Sequence, residues 1–149
     1  MSTRRIVVGV DDSDGARRAL RWALDHAEGF DATVEAVHAY EFRPAWIDYD
    51  EGAEAIERWR ERAAATAREC LHRVVTEVAG NTGGDVNEVV ISADAPTALI
   101  DHSREAELLV VGSRGRGSFA GLFLGSVSRR CTEGASCPVV VVPTAATVD

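Results

Sequence analysis

The chain contains no lysine: its 16 Lys and Arg positions are all arginine. That absence excludes a Walker phosphate loop, G-x-x-x-x-G-K-[ST], whose lysine stands beside the β- and γ-phosphates. The dinucleotide fingerprint G-x-G-x-x-G is missing as well; after the first apolar run the chain reads "VGVDDSDGA", which disfavours a nicotinamide-dependent enzyme. Cysteine is scarce, with Cys70, Cys131 and Cys137 forming no C-x-x-C pair. A disulfide framework or a cysteine zinc site is therefore not expected, and the thiols read as reduced and mostly in the core. The four histidines, His26, His38, His72 and His102, never fall three or four residues from one another or from a cysteine, so no metal site is expected from them. The opening "MSTRRIVVGV" offers a five-residue apolar run before Asp11. Such a run is too short for a secretory core or a membrane span, and the expectation is a cytoplasmic protein with no membrane partner.

What is present fits one globular domain over residues 1–149, 46% hydrophobic and 27% charged. A net charge of −8 opposes non-specific binding to nucleic acid or anionic lipid. The charge is unevenly spread, however. From Leu108 to Thr132 there is no acid, while Arg114, Arg116, Arg129 and Arg130 all lie there. An acidic chain with one such segment has either a local anion site or a basic face for a partner.

Apolar periodicity divides the chain into alternating strands and helices. "RIVVGV" (5–10) is short, β-branched and apolar throughout, as a strand buried on both faces must be. "DDSDG" supplies helix-start residues, with Asp12 and Ser13 as caps, and Ala16, Ala19, Leu20, Ala23, Leu24 and Ala27 then repeat at helical spacing up to Gly29. "ATVEAVHAY" (32–40) is a second strand, a long helix spans about 52–79, and "VNEVVIS" is a third strand. Pro96 suits the first residue of a short helix running to Ser103. "AELLVVG" is the fourth strand, a helix runs from Ser126 to Gly134, and "CPVVVVP" closes the pattern as the fifth strand. Five strands joined by helical crossovers predict an open, doubly wound α/β fold: a five-stranded parallel sheet with helices on both faces. Ligands in such folds sit at the carboxyl ends of the strands. Asp11-Asp12, His38-Ala39-Tyr40 and the stretch "VVGSRGRGSFAGLFLGSVSRR" (110–130) all lie there.

That stretch holds Gly112, Gly115, Gly117, Gly121 and Gly125. Glycines let backbone N–H groups converge on phosphate oxygens without a side-chain cation. Ser126 is expected to cap the following helix, so its hydroxyl and the N–H groups of Val127 and Ser128 add donors at a helix start. Hydrogen bonds to a charged group contribute about 1.5–3 kcal/mol each, enough for binding without lysine. Phe119, Leu122 and Phe123 argue against a solvated linker.

Gly112-x2-Gly115-x9-Gly125-Ser126 resembles the nucleotide-binding motif of the universal stress protein family, in its ATP-binding branch. "IVVGVDDSDGARRALRWA", "ELLVVGSRG", "GSVSRR" and "CPVVVVP" agree with it, so the resemblance spans essentially the whole chain. It implies a Rossmann-like domain of the adenine nucleotide α-hydrolase type that binds ATP or another adenine nucleotide, with Mg²⁺ held through the phosphates. It also implies a homodimer paired through the last strand, Val139 to Val142, and an unidentified regulatory protein partner. By position, Asp11 matches the acid near the adenosine, Ala39 the small residue whose backbone meets the adenine, and Val111 the pocket residue before the motif. Gly112, Ser113, Arg114, Gly115, Gly125, Ser126, Val127 and Ser128 match the phosphate loop; Arg114 reads either as a phosphate clamp or as a solvated rim. In "SADAP" (92–96), Ala93 and Ala95 stand where relatives often have glycine, narrowing the adenosine side. Ser118 replaces another common glycine within the variable span.

Other readings were weighed against these. Asp11 and Asp12 would suit a receiver-domain acid pocket, but that needs a lysine and a third-strand aspartate, for which only Asp94 is offered. His38 lacks an evident nucleophile and reads as a histidine near the pocket. Tyr40, Phe42, Trp46 and Tyr49 form either a lid or partner surface, or a self-packed cluster. Three function classes remain: a nucleotide-dependent stress-response module with little or no hydrolysis, a dimeric interaction module whose glycine loop is structural and empty, and a slow ATPase or adenylate-forming enzyme. No catalytic residue is assigned, because phosphoryl transfer needs positioned charge at the γ-phosphate and no lysine supplies it.

Overall fold

The computed structural model describes residues 4–43, 52–80, 85–115 and 124–144. The elements run β1 (Arg4–Gly9), α1 (Asp14–His26), β2 (Ala32–Tyr40), α2 (Gly52–Ala79), β3 (Val86–Ser92), α3 (Ala95–His102), β4 (Leu108–Gly112), α4 (Ser126–Gly134) and β5 (Val139–Val142). All neighbouring strands pair in parallel, in the order β3-β2-β1-β4-β5. The doubly wound sheet expected from the strand–helix alternation is therefore the fold observed.

Strand β1 is central, and Ile6, Val7 and Val8 are fully buried there. Their side chains alternate between two cores, as a strand's period of two requires. Ile6 and Val8 join Ala19, Leu20, Ala23, Leu71 and Val74 beneath α1 and α2. Val7 packs with Leu99, Leu109 and Cys131 beneath α3 and α4. Each fully buried Leu, Ile or Val contributes about 1.5–3 kcal/mol, so these two layers hold both helix pairs to the sheet.

Local signals set the helix starts. Ser13 is extended and its Oγ accepts from the Ala16 N–H at 3.1 Å, capping α1. Asp94 caps α3 by accepting from the Thr97 N–H at 3.1 Å. Pro96 is thus the second residue of α3, one later than expected, because the carboxylate of Asp94 fixes the boundary. The helix cap expected at Ser126 falls instead on Gly125, which is extended (ψ 173°) and whose carbonyl accepts from the Arg129 N–H at 3.0 Å. Ser126 is already the first helical residue, and no side chain caps α4. Helix α1 ends at His26, before a 3₁₀ turn at Glu28–Phe30 and Asp31 with φ 52°.

The chain steps outward from β1 through β2 to β3, then α3 carries it back to β4 on the other side of β1. The connections leaving β1 and β4 diverge, and a crevice opens over their carboxyl ends. Strand β5 (Val139–Val142) lies at the sheet edge. No helix among the described residues is long and apolar enough to cross a membrane.

Candidate functional site

The crevice is a cavity of about 250 Å³ over the ends of β1, β2 and β4 and the start of α4. Of the candidates from the sequence, Asp11, Ala39, Val111, Gly112, Arg114, Gly115, Gly125, Ser126, Val127 and Ser128 line it. Four stretches far apart in the chain are therefore brought together at one place. Arg116, Gly117, Ser118, Phe119, Gly121, Leu122 and Phe123 lie outside the described residues, as do Trp46 and Tyr49.

Ser113 does not line the cavity. It is buried, and its polar atoms serve the fold: its N–H donates to Val142 O at 2.8 Å and its Oγ accepts from the Thr144 N–H at 3.3 Å. Its carbonyl accepts from the Gly125 N–H at 2.7 Å and from Ser128 Oγ at 2.9 Å. The Ser128 hydroxyl is thereby turned inward, with a second contact to Gly125 O at 3.1 Å, and the residue is 1% exposed. Ser128 can therefore offer a ligand its backbone and not its hydroxyl.

Two glycines answer to close approach. A Cβ on Gly112 would lie 2.8 Å from the carbonyl carbon and oxygen of Gly15, so the end of β4 touches the first turn of α1 backbone to backbone. A Cβ on Gly115 would lie 2.9 Å from Asp11 Oδ2. Asp11 is held from its other oxygen, where Oδ1 accepts from the Ser13 N–H at 2.9 Å and from Ser13 Oγ. Its carboxylate is thus fixed between the first and fourth strand ends, with Gly115 seated against it.

The walls are apolar where Val37, Ala39, Leu99 and Val111 meet, and polar around Asp11, Arg114 and the α4 start. The Arg114 guanidinium donates to Thr144 Oγ1 at 2.9 Å, so it is a partly engaged rim residue. Arg130 lies 3.7 Å from Asp94, whereas Arg129 faces the cavity. His38 also lines it; its Nδ1 is 2.8 Å from Val10 O, and a carbonyl only accepts, so Nδ1 carries the proton. The Asp94 carboxyl is held below the usual range, chiefly by its hydrogen bonds from Thr97 and secondarily by Arg130. Beneath the α4 start, burial pushes the Cys131 thiol up to about 11. Among the described residues no group of three or more His, Cys, Asp or Glu could hold a metal ion.

Val37 and Leu99 also line the cavity and were not singled out from the sequence, and Ser13, read there as a helix cap, lines it too. Val37 and Leu99 carry only the periodicity of core residues, which does not tell a cavity wall from a packed interior. Ser13 did carry a signal, since a serine two residues after an acid can both cap the helix and orient the carboxylate. A slot of this kind suits a ligand with a flat apolar ring, hydroxyls for a carboxylate to accept from, and an anion for a helix start.

The model of the family described as "Universal stress protein family" matches residues 2–143. A universal stress protein of Mycobacterium tuberculosis strain H37Rv is 35% identical over 144 residues, spanning 95% of this chain and 48% of that protein. The chain thus spans about half the length of the mycobacterial relatives it matches. A Thermus aquaticus universal stress protein is 32% identical over 142 residues, spanning 93% of this chain and 98% of that one. Among solved structures, a universal stress protein in complex with cAMP is similar with a TM-score of 0.58 and 28% identity, over 95% of this chain and 98% of that one. A universal stress protein from Archaeoglobus fulgidus reaches a TM-score of 0.69 at 27% identity, over 95% of this chain and 98% of that one.

Proposed function

The chain belongs to the universal stress protein family, and from that premise we propose that this domain is an adenine-nucleotide-binding module, with ATP as its ligand. The observation that carries this reading is the meeting of Asp11, the Ala39 and Val111 walls and the Gly125–Val127 helix start around one cavity. A similar structure holds cAMP, which has the same base, ribose and an anionic phosphate. In the proposed pose the adenine lies against Ala39 and Val111, and the ribose hydroxyls donate to Asp11. The phosphates take N–H groups from Ser126, Val127 and Ser128 at the α4 start, beside Gly115 and Gly125, with Arg114 at the rim. Mg²⁺ would be carried on the phosphate oxygens, because the donor set around the cavity supplies Asp11 as carboxylate and no cluster of ligands.

Hydrolysis is slow or absent in this reading. Efficient phosphoryl transfer needs cations positioned at the γ-phosphate and an oriented nucleophile, and a backbone cradle supplies neither. The module would act by coupling occupancy to a partner or to a homodimer paired through the β5 edge, in the cytoplasm.

Titration calorimetry of ATP with Mg²⁺ tests the binding reading. Wild type should bind, and Gly115→Asp, which sets a second carboxylate against Asp11, should not. Equal binding by both proteins, or none by wild type, overturns it. A second reading is favoured by one observation: the tight seats of Gly112 on Gly15 and of Gly115 on Asp11 account for two motif glycines without any ligand. A structural, empty loop in an interaction module predicts no rise in melting temperature with ATP, whereas ligand at 100 times Kd adds about 2.7 kcal/mol.

A further inference from the structure

Ser113 joins the return of the glycine loop to the exit of the edge strand β5. On one side its carbonyl receives the Gly125 N–H and the Ser128 hydroxyl, fixing the return of the glycine loop and the first turn of α4. On the other its N–H holds Val142 O, the last carbonyl of the edge strand, and its Oγ holds the Thr144 N–H two residues beyond. Thr144 Oγ1 in turn accepts from Arg114, whose residue lines the cavity. The exit of β5 is therefore tied twice to residues flanking the site. Arg18 adds a third tie by donating from Nε to Pro143 O at 3.0 Å.

We propose that Ser113 is a positioning residue that transmits occupancy of the cavity to the exit of edge strand β5. The inference rests on the nucleotide-binding reading above. An anion accepting from the Ser126 and Val127 N–H groups restrains the adjoining Gly125, whose own N–H donates to Ser113 O, and restraint of Ser113 limits opening of the Val142 and Thr144 contacts. Those contacts fasten the exit of β5 to the end of β4, and the opposite flank of β5 is the open edge of the sheet, the place where this domain can add another strand. The ligand thus sets how firmly that edge is presented, without touching it.

Amide hydrogen exchange of the full chain, read with and without ATP and Mg²⁺ at saturation confirmed by calorimetry, tests the proposal. In wild type, exchange at Gly125, Ser113 and Thr144 should slow together by about fivefold or more, the lower end of ordinary coupling. Ser113→Ala deletes the acceptor for the Thr144 N–H, so the Thr144 response should vanish while Gly125 still responds. Ser113→Thr retains the oxygen and should restore it. Thr144→Val keeps the N–H, removes the Arg114 contact, and should still respond. If ATP binds wild type and Thr144 exchange does not change, or if Ser113→Ala keeps the full response, the coupling is wrong. If wild type binds no adenine nucleotide, the functional reading fails first and the calorimetry says so.

Discussion

Replacing Gly112 by alanine gives the sharpest test of how the site is assembled. The added Cβ would lie 2.8 Å from both C and O of Gly15 and 3.1 Å from its Cα. Comfortable carbon contacts are about 3.5–4.0 Å, so the two backbones must separate by roughly 0.7 Å or more. Neither is free to move. Gly112 pairs with Val142 in the sheet, and the Ser113 N–H that follows is bonded to Val142 O at 2.8 Å. The first turn of α1 is pinned by the Ser13 cap and packed through Ala16 and Ala19 into the core. Overpacking of this kind costs about 1–3 kcal/mol. At about 2–4 °C per kcal/mol for a chain of this size, the melting temperature should fall by roughly 2–12 °C. Adenine-nucleotide affinity should fall with it, since the Asp11–Ser13 turn sits on the displaced backbone. Gly29→Ala is the control, because no atom lies within 4 Å of its added Cβ; it should stay within about 0.5 kcal/mol of wild type. Calorimetric melting of the three proteins decides the matter. If Gly112→Ala melts with Gly29→Ala and wild type, the backbone contact does not constrain the fold and the reasoning fails.

Other expectations follow from the same geometry. Ser128→Ala deletes a buried hydroxyl with two acceptors and should cost about 0.5–1.5 kcal/mol in urea unfolding; an unchanged midpoint would show that the hydroxyl does not hold the loop. Burial raises the Cys131 thiol to about 11, so native alkylation at pH 8 should label half-buried Cys70 and Cys137 well before Cys131. A raised folded pKa means that Cys131 contributes fully below its unfolded value of about 8.5 and loses that contribution as pH climbs toward 11. Cys131→Ala should therefore flatten the alkaline limb of the stability curve. Asp94 has the opposite sign: its folded pKa is lowered, so its contribution is present at neutral pH and disappears as acid protonates it. Stability of Asp94→Asn measured from pH 7 to pH 3 should converge on wild type at the acid end, and parallel curves would refute the assignment.

The sheet was legible because its inner strands β1 and β4 are apolar on both faces and its helices carry a stripe; "IVVGV" and "ELLVVG" admit few other readings. The ring of residues around the cavity was legible only where chemistry is written in residue type, as with Asp11 and the spaced glycines. Helix boundaries were less so. Nothing in "LGSVSRR" tells Gly125 from Ser126 as the cap, because a serine's capping ability is unused when the preceding backbone already turns extended. Ser113 was read with the phosphate loop and Ser128 as a backbone donor at the helix start; the inward direction of both hydroxyls has no signal in the sequence. Side-chain direction at a strand end depends on which partner strand lies alongside, and no local pattern carries that. The place of β5 at the edge likewise follows from long-range pairing.

The pairing of β1 with β4 sets an order of events for the newborn chain. Ile6 meets Leu108 and Val8 meets Val110, about a hundred positions apart. Until β4 emerges, β1 can pair only with β2, and its other flank stays unsatisfied. Closing so large a loop is slow, as it is for parallel sheets in general. Between the emergence of β2 and that of β4, the growing polypeptide therefore keeps its central strand half-covered, exposed to chaperones and to misassociation. Competence to hold a ligand cannot precede α4, since Gly125 to Ser128 complete the cavity wall. A ligand that binds there acts on the finished domain as a whole and leaves every shorter nascent form untouched.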